Sequence, residues 1–434
     1  MKKTAQKMLA LMMVVCTILG IVGLASAEEK TKLTIMVWGQ TATMEMAVTS
    51  ILENNPDFAA KVDIEVITGG SGDPEVAEKY RLALASNVPC ADIIQLNYTQ
   101  LSEFAGVGAV VPLDDVFEPV WDDMLGAAQI LSTYNGQIVA APGAINTKLY
   151  YYRKDIFDEC GVDPKTWETV DDMIAGAKKI QEKYPDYYIY NMSHTAGAQD
   201  YGLYMLFTSF DGKFVDEEGN YILNTDPGVR KAFETLKKLY DSGICYDATD
   251  FTSGWEYGLA NGTLIGQLTS NWFRYFVSTY APDAAGKWAA CEWPTEIRKG
   301  SEAGGSVYVI PTFCTNVELS KEFLRLLRAD SEMQDIQFYD NNTVPVLTSS
   351  FEKIIERAEH PFLIGNGEES YWETEYHCFN NGYYSIFPYT PKAAAEMVIV
   401  NAYSTKFFSG EMDLDTMLNE LTMDLQMQIG NPFE

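Results

Sequence analysis

Residues 33–52 read LTIMVWGQTATMEMAVTSIL, and this stretch decides the fold. Its first five residues form an apolar run that predicts a short buried strand. Met44, Val48 and Ile51 then recur at the spacing of one helix face, with Leu52 beside them. A strand that passes directly into an amphipathic helix is the first half of a βαβ unit.

The segments that follow continue the alternation of strand and helix. Residues 54–56 (NNP) are expected to end the helix, and residues 62–66 (VDIEV) alternate as in a strand with one solvated face. The glycine-rich residues 69–72 are expected to form a loop, after which Asp73 is expected to cap a helix opened by the next proline. Residues 92–95 (DIIQ) predict a further strand. This order predicts an α/β fold with a parallel sheet covered by helices.

Helices are predicted through the middle and at the end of the chain. Thr169 and Asp172 approximate a capping box, and residues 227–241 read as one helix closed by Ser-Gly. Near the C-terminus an apolar stripe over residues 414–425 predicts an amphipathic helix that Asp413 can cap. The sequence contains no internal repeat, low-complexity tract or long linker, so any two lobes are expected to share an intimate boundary.

The N-terminus predicts export. Three lysines lie within the first seven residues, residues 8–24 are almost wholly apolar, and Ala-Ser-Ala ends at Ala27. This order is typical of a secretory signal over residues 1–27, cleaved after Ala27. The alternative is a retained membrane helix, but an apolar run of about 17 residues is marginal for spanning a bilayer. Cys16 follows Val15 rather than a small residue, so we expect a protein free in the periplasm or outside the cell, without a lipid anchor.

Charge and cysteine content restrict the partners. The chain has 434 residues, and 61 acidic side chains outnumber 31 basic ones, giving a formal net charge of −30. Such a surface repels nucleic acid and anionic headgroups, so neither is an expected partner. The length predicts two or more domains. The six cysteines beyond the signal could pair in fifteen ways or be apolar core residues, and without CxxC spacing no zinc site is expected.

Three stretches, taken in order, resemble one known family. The first is the strand at 92–95 followed by LSEFAGVGAVVPLD at 101–114. The second joins YNGQI at 134–138 to LYYYRKDIF at 149–157 and PKTW at 164–167, and it is the most specific. The third contains GGS at 304–306, VIP at 309–311 and EFLRLL at 322–327. Together they are similar to the extracellular solute-binding proteins that serve ABC-type sugar importers.

The resemblance implies a periplasmic-binding-protein-like fold with two lobes. Each lobe would be a β-sheet flanked by helices, and the chain would cross the hinge more than once. Lobe one would comprise residues 28–142 and 301–347, and lobe two residues 143–300 and 348–434. The resemblance also implies a monomeric, non-enzymatic receptor that captures a small solute, expected to be a sugar, and delivers it to a membrane permease. No catalytic residue, metal or cofactor is expected.

Sugar binding requires specific residue types. A pyranose packs its C–H face on an aromatic ring, and each buried hydroxyl needs a hydrogen-bond partner. Residues 38–40 and 97–98 follow predicted strands, where open α/β sheets bind ligands, and residues 255–256 are expected in a loop flanked by glycine and serine. The segment GTLIGQLTSNWFR at 262–274 is similar to the family segment whose tryptophan commonly stacks on the sugar. The predicted ligand-binding residues are Trp38, Gln40, Glu45, Asn97, Tyr98, Trp255, Glu256, Asn271, Trp272 and Arg274.

Each of these residues also has a purely structural interpretation. Trp38, for example, could close the edge of the sheet instead of facing a ligand. Tyr201, Tyr204, Trp372 and Tyr383 are further aromatic candidates for which a core role is equally expected. Family members often carry Asp or Glu shortly after the first strand, where this chain has Gln40. The sugar's identity therefore stays open.

Two other classes of function fit the composition. A secreted glycoside hydrolase needs two carboxylates across the scissile bond, but with 61 acidic residues some pair always qualifies. The chain contains no HExxH or GxSxG motif and only three histidines. The same fold could instead bind a polyamine, a peptide or a phosphate ester. Glu45 and Glu256, near Trp38 and Trp255, favour a polyamine, whereas only Arg274 among the candidates suits an anion.

Overall fold

The computed structural model describes residues 30–193, 202–300, 302–341, 343–380, 382 and 384–433. The predicted signal sequence at 1–27 and the aromatic candidates Tyr201 and Tyr383 lie outside the described residues. No helix in these described ranges combines the length and the apolar character needed to cross a bilayer.

The described residues form eleven strands. These are β1 (Thr31–Trp38), β2 (Val62–Gly70), β3 (Ile93–Asn97), β4 (Thr133–Tyr134), β5 (Gln137–Ile138), β6 (Ala141–Arg153), β7 (Tyr190–Asn191), β8 (Cys245–Tyr246), β9 (Gly266–Ser270), β10 (Trp288–Cys291) and β11 (Glu302–Val309).

Eighteen α-helices accompany the strands within the same ranges. These are α1 (Ala42–Asn54), α2 (Pro56–Ala59), α3 (Asp73–Ser86), α4 (Leu101–Gly106), α5 (Asp114–Phe117), α6 (Gly126–Ser132), α7 (Lys154–Glu159), α8 (Val170–Lys183), α9 (Gly202–Ser209), α10 (Pro227–Asp241), α11 (Ser253–Ala260), α12 (Phe273–Tyr280), α13 (Val317–Arg328), α14 (Ser331–Asn341), α15 (Thr348–Arg357), α16 (Tyr371–Asn380), α17 (Ala393–Phe408) and α18 (Leu414–Gln428). Short 3₁₀ turns occur at Tyr98–Gln100, Glu118–Asp123, Pro164–Thr166 and Pro282–Ala284.

One mixed sheet of seven strands organises the molecule. Its strand order is β10-β6-β11-β3-β1-β2. The seventh strand, β9, also pairs with β6, along the edge opposite to β10. β1 pairs in parallel with β2 and with β3, which confirms the parallel arrangement predicted for the first three strands. The sheet as a whole is mixed, because β11 runs antiparallel to β3 and β6, and β6 runs antiparallel to β9 and β10.

Strand β6 pairs with different strands along its length. Its residues 141–147 pair with β11, and its residues 148–152 pair with β9. Successive side chains of a strand point to opposite faces. Tyr151 accordingly packs in the hydrophobic cluster that contains β1, β3 and β11, whereas Tyr150 and Tyr152 pack in the cluster that contains α8, α10 and α18. The two clusters therefore lie against opposite faces of one strand, with no linker between them.

Several local predictions are confirmed. Thr169 and Asp172 form the capping box at the start of α8. Helix α10 covers 227–241 as predicted, and the Asp413 carboxylate accepts a hydrogen bond from the backbone N–H of Thr416 at 3.0 Å at the start of α18. Asn135 and Gly136 both have positive φ, which produces the tight hairpin between β4 and β5.

The predicted loop at 69–72 is wrong in its first half. Strand β2 continues to Gly70 because α3 packs back against it: a Cβ at Gly69 would lie only 2.5 Å from Val76. Asp73 is also not the N-cap of α3, since Gly72 occupies that position. The Asp73 carboxylate instead accepts a hydrogen bond from Gln100 Nε2 at 3.0 Å.

All six cysteines beyond the signal are free thiols. Cys291, Cys314 and Cys378 are buried, and Cys90, Cys160 and Cys245 are half-buried. None of the six therefore forms a disulfide, and the three buried cysteines are core residues.

Candidate functional site

Two cavities lie at the carboxyl ends of the parallel strands. The first cavity, of about 380 Å³, is lined by Trp38 at the end of β1, by Gln95 of β3 and by Tyr308 of β11. The second cavity, of about 610 Å³, is lined by Asn97 at the end of β3 and by Asp73 at the start of α3. Both volumes are within the range of small-molecule sites in proteins, about 300–1,000 Å³.

The first cavity brings together five of the predicted residues. Trp38 and Gln40 enter it from the end of β1, Asn271 and Trp272 enter it from the turn between β9 and α12, and Arg274 enters it from the first turn of α12. Gln40 is exposed, Trp38 and Trp272 are half-buried, and Asn271 is buried. This arrangement combines two indole rings with amide groups, as a sugar cleft requires.

The second cavity contains two more predicted residues, Asn97 and Tyr98. Across from them lie Tyr204 of α9, Phe251 in the loop before α11, and Asn401 of α17. Tyr204 was only a secondary candidate in the sequence, and it lines this cavity although it is 6% exposed.

The two cavities are neighbours. Gln95 and Asn97 are two residues apart on β3 and therefore point to the same face, and one lines each cavity. On the opposite side, the rings of Phe251 in the second cavity and Trp272 in the first lie 5.2 Å apart. A ligand longer than one sugar unit therefore has an adjoining site to enter.

Three predicted residues line neither cavity. Glu45 is exposed on the first turn of α1, and Glu256 of α11 shares a hydrogen bond with Tyr280. Trp255 has no exposed surface, because α11 turns its ring inward against Phe273. Trp255 also supports Phe251, whose ring lies 5.6 Å away.

Phe251 is a site residue that sequence reasoning missed. Its φ of 65° is in the left-handed region, which is unfavourable for a bulky side chain, and the residue is 47% exposed. Backbone strain of this kind concentrates at functional sites. No periodic pattern surrounds Phe251 in the sequence, and a backbone angle cannot be read from residue types.

Replacing Phe251 by asparagine is expected to separate binding from stability. Asparagine tolerates the left-handed conformation, so relief of about 1–2 kcal/mol of strain offsets the lost ring packing. We expect the free energy of unfolding to stay within about 1 kcal/mol of the wild type, while the Kd for the best sugar ligand rises roughly tenfold. Denaturant titration and calorimetry measure the two quantities. A Kd equal to that of the wild type would remove Phe251 from the site.

A buried ion pair holds the Asn271–Arg274 turn. Arg274 Nη1 lies 3.0 Å from Glu375 Oε1 and 3.1 Å from Glu375 Oε2, and Asn271 Nδ2 donates to the same carboxylate at 2.5 Å. The Glu375 side chain of α16 has no exposed surface. Burial lowers the pKa of the Arg274 guanidinium, but the Glu375 carboxylate together with the hydroxyls of Tyr371 and Tyr151 raises that pKa above its usual value. Arg274 thus positions the turn that presents Trp272.

Unsatisfied polar atoms accompany the aromatic rings. The hydroxyl of Tyr204, Oδ1 of Asn401 and Oε1 of Gln337 have no hydrogen-bond partner among the described residues. The first two belong to residues of the second cavity, and Gln337 lines the first. Leaving a buried polar atom without a partner costs about 1–3 kcal/mol. A ligand rich in hydroxyl groups can satisfy such atoms as donor and acceptor.

His360 makes stability depend on pH near the Arg274 network. Burial, with a smaller contribution from Arg274, lowers the pKa of His360 from 6.5 to about 3. Between pH 3 and pH 6.5, His360 therefore binds a proton in the unfolded chain but not in the folded protein. The contribution of neutral His360 to the free energy of unfolding is complete above pH 6.5 and is lost as the pH falls toward 3.

Replacing His360 by asparagine is expected to reduce this pH dependence. Between pH 7 and pH 5 the wild type should lose about 2 kcal/mol of unfolding free energy more than the variant. Urea titrations at the two pH values measure the difference. The control is His377→Asn, because His377 is largely exposed; equal losses in the wild type and in His360→Asn would contradict the prediction.

Known proteins share both the sequence pattern and the fold. The family described as bacterial extracellular solute-binding protein matches residues 56–361. The chain is 26% identical over 293 residues to the arabinooligosaccharide-binding protein of Halalkalibacterium halodurans, and this alignment covers 64% of the chain and 63% of that protein. It is 24% identical over 287 residues to the arabinooligosaccharide-binding protein of Bacillus subtilis, covering 64% of each. The matches thus span just under two thirds of these relatives.

A solved structure extends the likeness in fold to nearly the whole chain. The GacH receptor of Streptomyces glaucescens, known unliganded and in complex with acarbose, superimposes with a TM-score of 0.73 at 18% identity. The match covers 92% of this chain and 98% of that one. This likeness confirms the two-lobed architecture of periplasmic binding proteins that the sequence predicts.

Proposed function

The chain belongs to the family of bacterial extracellular solute-binding proteins, and on this basis we propose that it is the exported binding component of an ABC importer for a carbohydrate. Its guest would be a mono- or oligosaccharide held between the two lobes and passed intact to a membrane permease. Cleavage after Ala27 would release it as a monomer free of a lipid anchor. The lobe boundaries proposed are those implied by the sequence, with 28–142 and 301–347 opposite 143–300 and 348–434.

One observation carries the proposal. Indole and phenyl rings of Trp38, Trp272 and Phe251 border two adjoining cavities at the carboxyl ends of the strands. Unsatisfied hydroxyl and amide atoms of Tyr204, Asn401 and Gln337 belong to the lining residues. Rings for the C–H faces of a sugar and polar atoms for its rim are the two requirements of carbohydrate recognition. The names of the arabinooligosaccharide-binding relatives support the same ligand class.

The alternatives receive less support. The polyamine interpretation depended on Glu45 and Glu256, and neither lines a cavity. A hydrolase belongs to a different kind of family, and we propose that the protein has no catalytic activity. The ligand would contact both lobes and so favour a closed state by the difference between its affinities for the two states.

Thermal-shift screening of the mature protein tests the proposal. We expect at least one mono- or oligosaccharide to raise the melting temperature and to reduce the radius of gyration in small-angle scattering, since it binds the folded state and closes the lobes. Spermidine, putrescine and short peptides are the comparison ligands. A melting temperature raised only by a polyamine or a peptide, or turnover of any sugar in the panel, would overturn the proposal.

A further inference from the structure

Arg328 is a buried cation in the wall of the first cavity. It is the last residue of α13, is 2% exposed and lines the cavity together with Tyr308 and Gln337. Its Nε donates to the carbonyl of Pro142 at 2.6 Å, and its Nη2 donates to the carbonyl of Gly143 at 2.6 Å. A longer bond of 3.4 Å joins Nη2 to the carbonyl of Val344.

These contacts leave one nitrogen of the guanidinium unused. An arginine side chain has five N–H donors, and two of them belong to Nη1. Nη1 of Arg328 makes no hydrogen bond to the residues described here, whereas Nε and Nη2 are both occupied by carbonyls. The backbone carbonyls thus fix the position of the side chain, and the two N–H donors of Nη1 can still bind a ligand.

Arg328 also lacks an acidic partner. Nearby arginines are paired: Arg325, one turn earlier, lies 3.3 Å from Asp330, and Arg274 pairs with Glu375. Arg328 has no such ion pair in the described part of the chain, although the protein as a whole carries a net charge of −30. Burial lowers the pKa of Arg328 to about 10, so the group stays charged at neutral pH. A buried charge without a counter-charge is unfavourable.

The first cavity differs in charge from the second. Among the residues that the structure describes, Arg274 and Arg328 are the charged ones that line the first cavity, and no described aspartate or glutamate lines it. The second cavity is lined by Asp73 and Asp250 as well as by Arg81. Because Glu375 neutralises Arg274, the uncompensated positive charge of the first cavity belongs to Arg328.

We propose that the first cavity takes a sugar unit carrying an anionic substituent, a carboxylate as in a uronic acid, and that Arg328 supplies its counter-charge. This inference rests on the proposed function and narrows it from carbohydrates in general to acidic ones. Tyr308 and Gln95 line the same wall and offer neutral donors to the remaining oxygens. The second cavity would hold the neutral neighbour of the acidic unit.

Calorimetry on the mature wild-type protein with matched ligand pairs tests the inference. Each pair compares a neutral sugar with a related uronate: galactobiose with digalacturonate, and xylotriose with glucuronosyl-xylotriose. A sulfated galactobiose distinguishes a carboxylate from another anion. We expect the uronate to bind at least tenfold more tightly than the neutral sugar in one or more pairs. Raising NaCl from 20 to 500 mM should weaken the binding of the uronate but not that of the neutral sugar.

Two variants on the same helix locate the effect. Arg328→Gln keeps a donor for the backbone carbonyls and removes the charge, so the preference for the uronate should fall at least tenfold. Arg325→Gln removes an exposed charge and should leave the preference unchanged. If Arg328→Gln does not fold, the ligand pairs and the salt dependence of the wild type still decide.

The outcomes separate the two proposals. Tight binding of neutral sugars with equal or weaker binding of every uronate overturns the acidic-sugar inference and leaves carbohydrate transport standing. Preference for the sulfated sugar over both uronate and neutral sugar overturns the choice of a carboxylate. Binding of no sugar at all removes both the inference and the proposed function.

Discussion

Replacing Glu375 by alanine is expected to lower the free energy of unfolding by about 3–5 kcal/mol. The substitution leaves the Arg274 guanidinium buried without its carboxylate partner at 3.0 Å and removes an acceptor of Asn271. An isolated charge in the protein interior is far costlier than a neutral group. Chemical denaturation followed by tryptophan fluorescence measures the loss, and the displaced turn should also weaken ligand binding through Trp272.

Controls distinguish the ion pair from a general loss of an acidic residue. Glu368 is exposed, so Glu368→Ala should change the free energy of unfolding by less than about 0.5 kcal/mol. The double variant Arg274→Met with Glu375→Leu removes both charges and should be more stable than Glu375→Ala. A Glu375→Ala protein within 1 kcal/mol of the wild type would show that the pair does not hold the turn.

Replacing Trp272 by alanine is expected to weaken binding of the best sugar ligand by about 1–3 kcal/mol, which is roughly a 5- to 150-fold rise in Kd. Trp272 lines the first cavity, and its ring lies 5.2 Å from that of Phe251 in the second. It therefore stands where a ligand that occupies both cavities would pass. Calorimetric titration measures the change, and Trp272→Phe should retain part of the affinity.

The matched control is Tyr275→Ala. Tyr275 is on α12 just after Trp272, is 67% exposed and lines neither cavity. Its replacement should leave the Kd unchanged. Urea titration of the Trp272 variant verifies that the protein is folded under the assay conditions. An unaltered affinity in folded Trp272→Ala would exclude Trp272 from the site.

The architecture could be predicted from the sequence because its signals are local. A short apolar run located β1, alternation located β2, and the capping box of Thr169 and Asp172 located the start of α8. The error at Gly69 arose because a glycine pair is typical of a loop, whereas here it permits α3 to approach the strand. That approach is a tertiary contact, and a local pattern contains no record of it.

The site was predicted only in part, for the same reason. Trp38 and Asn97 end β1 and β3, and each reaches a cavity because the carboxyl ends of these parallel strands meet at one edge of the sheet. Trp272 follows β9, which is antiparallel to β6, so the same argument does not explain its position. Trp255 and Glu256 were expected in a loop flanked by glycine and serine, but both lie on α11, which turns the tryptophan into the core. Phe251 was missed because its significance is a backbone angle.

Composition and strand–helix order were enough to predict an acidic α/β protein, and the N-terminal pattern predicted export, since charge and periodicity are properties of consecutive residues. The two lobes and the role as a receptor were implied by the resemblance to the solute-binding family. Tertiary structure alone decided which side chains meet. Glu375 reaches Asn271 across 104 residues, and Arg328 reaches Pro142 across 186. Burial then decides the chemistry of such residues, because an arginine that is ordinary in water becomes an uncompensated charge once water is removed. We propose that a carboxylate of the ligand supplies the counter-charge of Arg328.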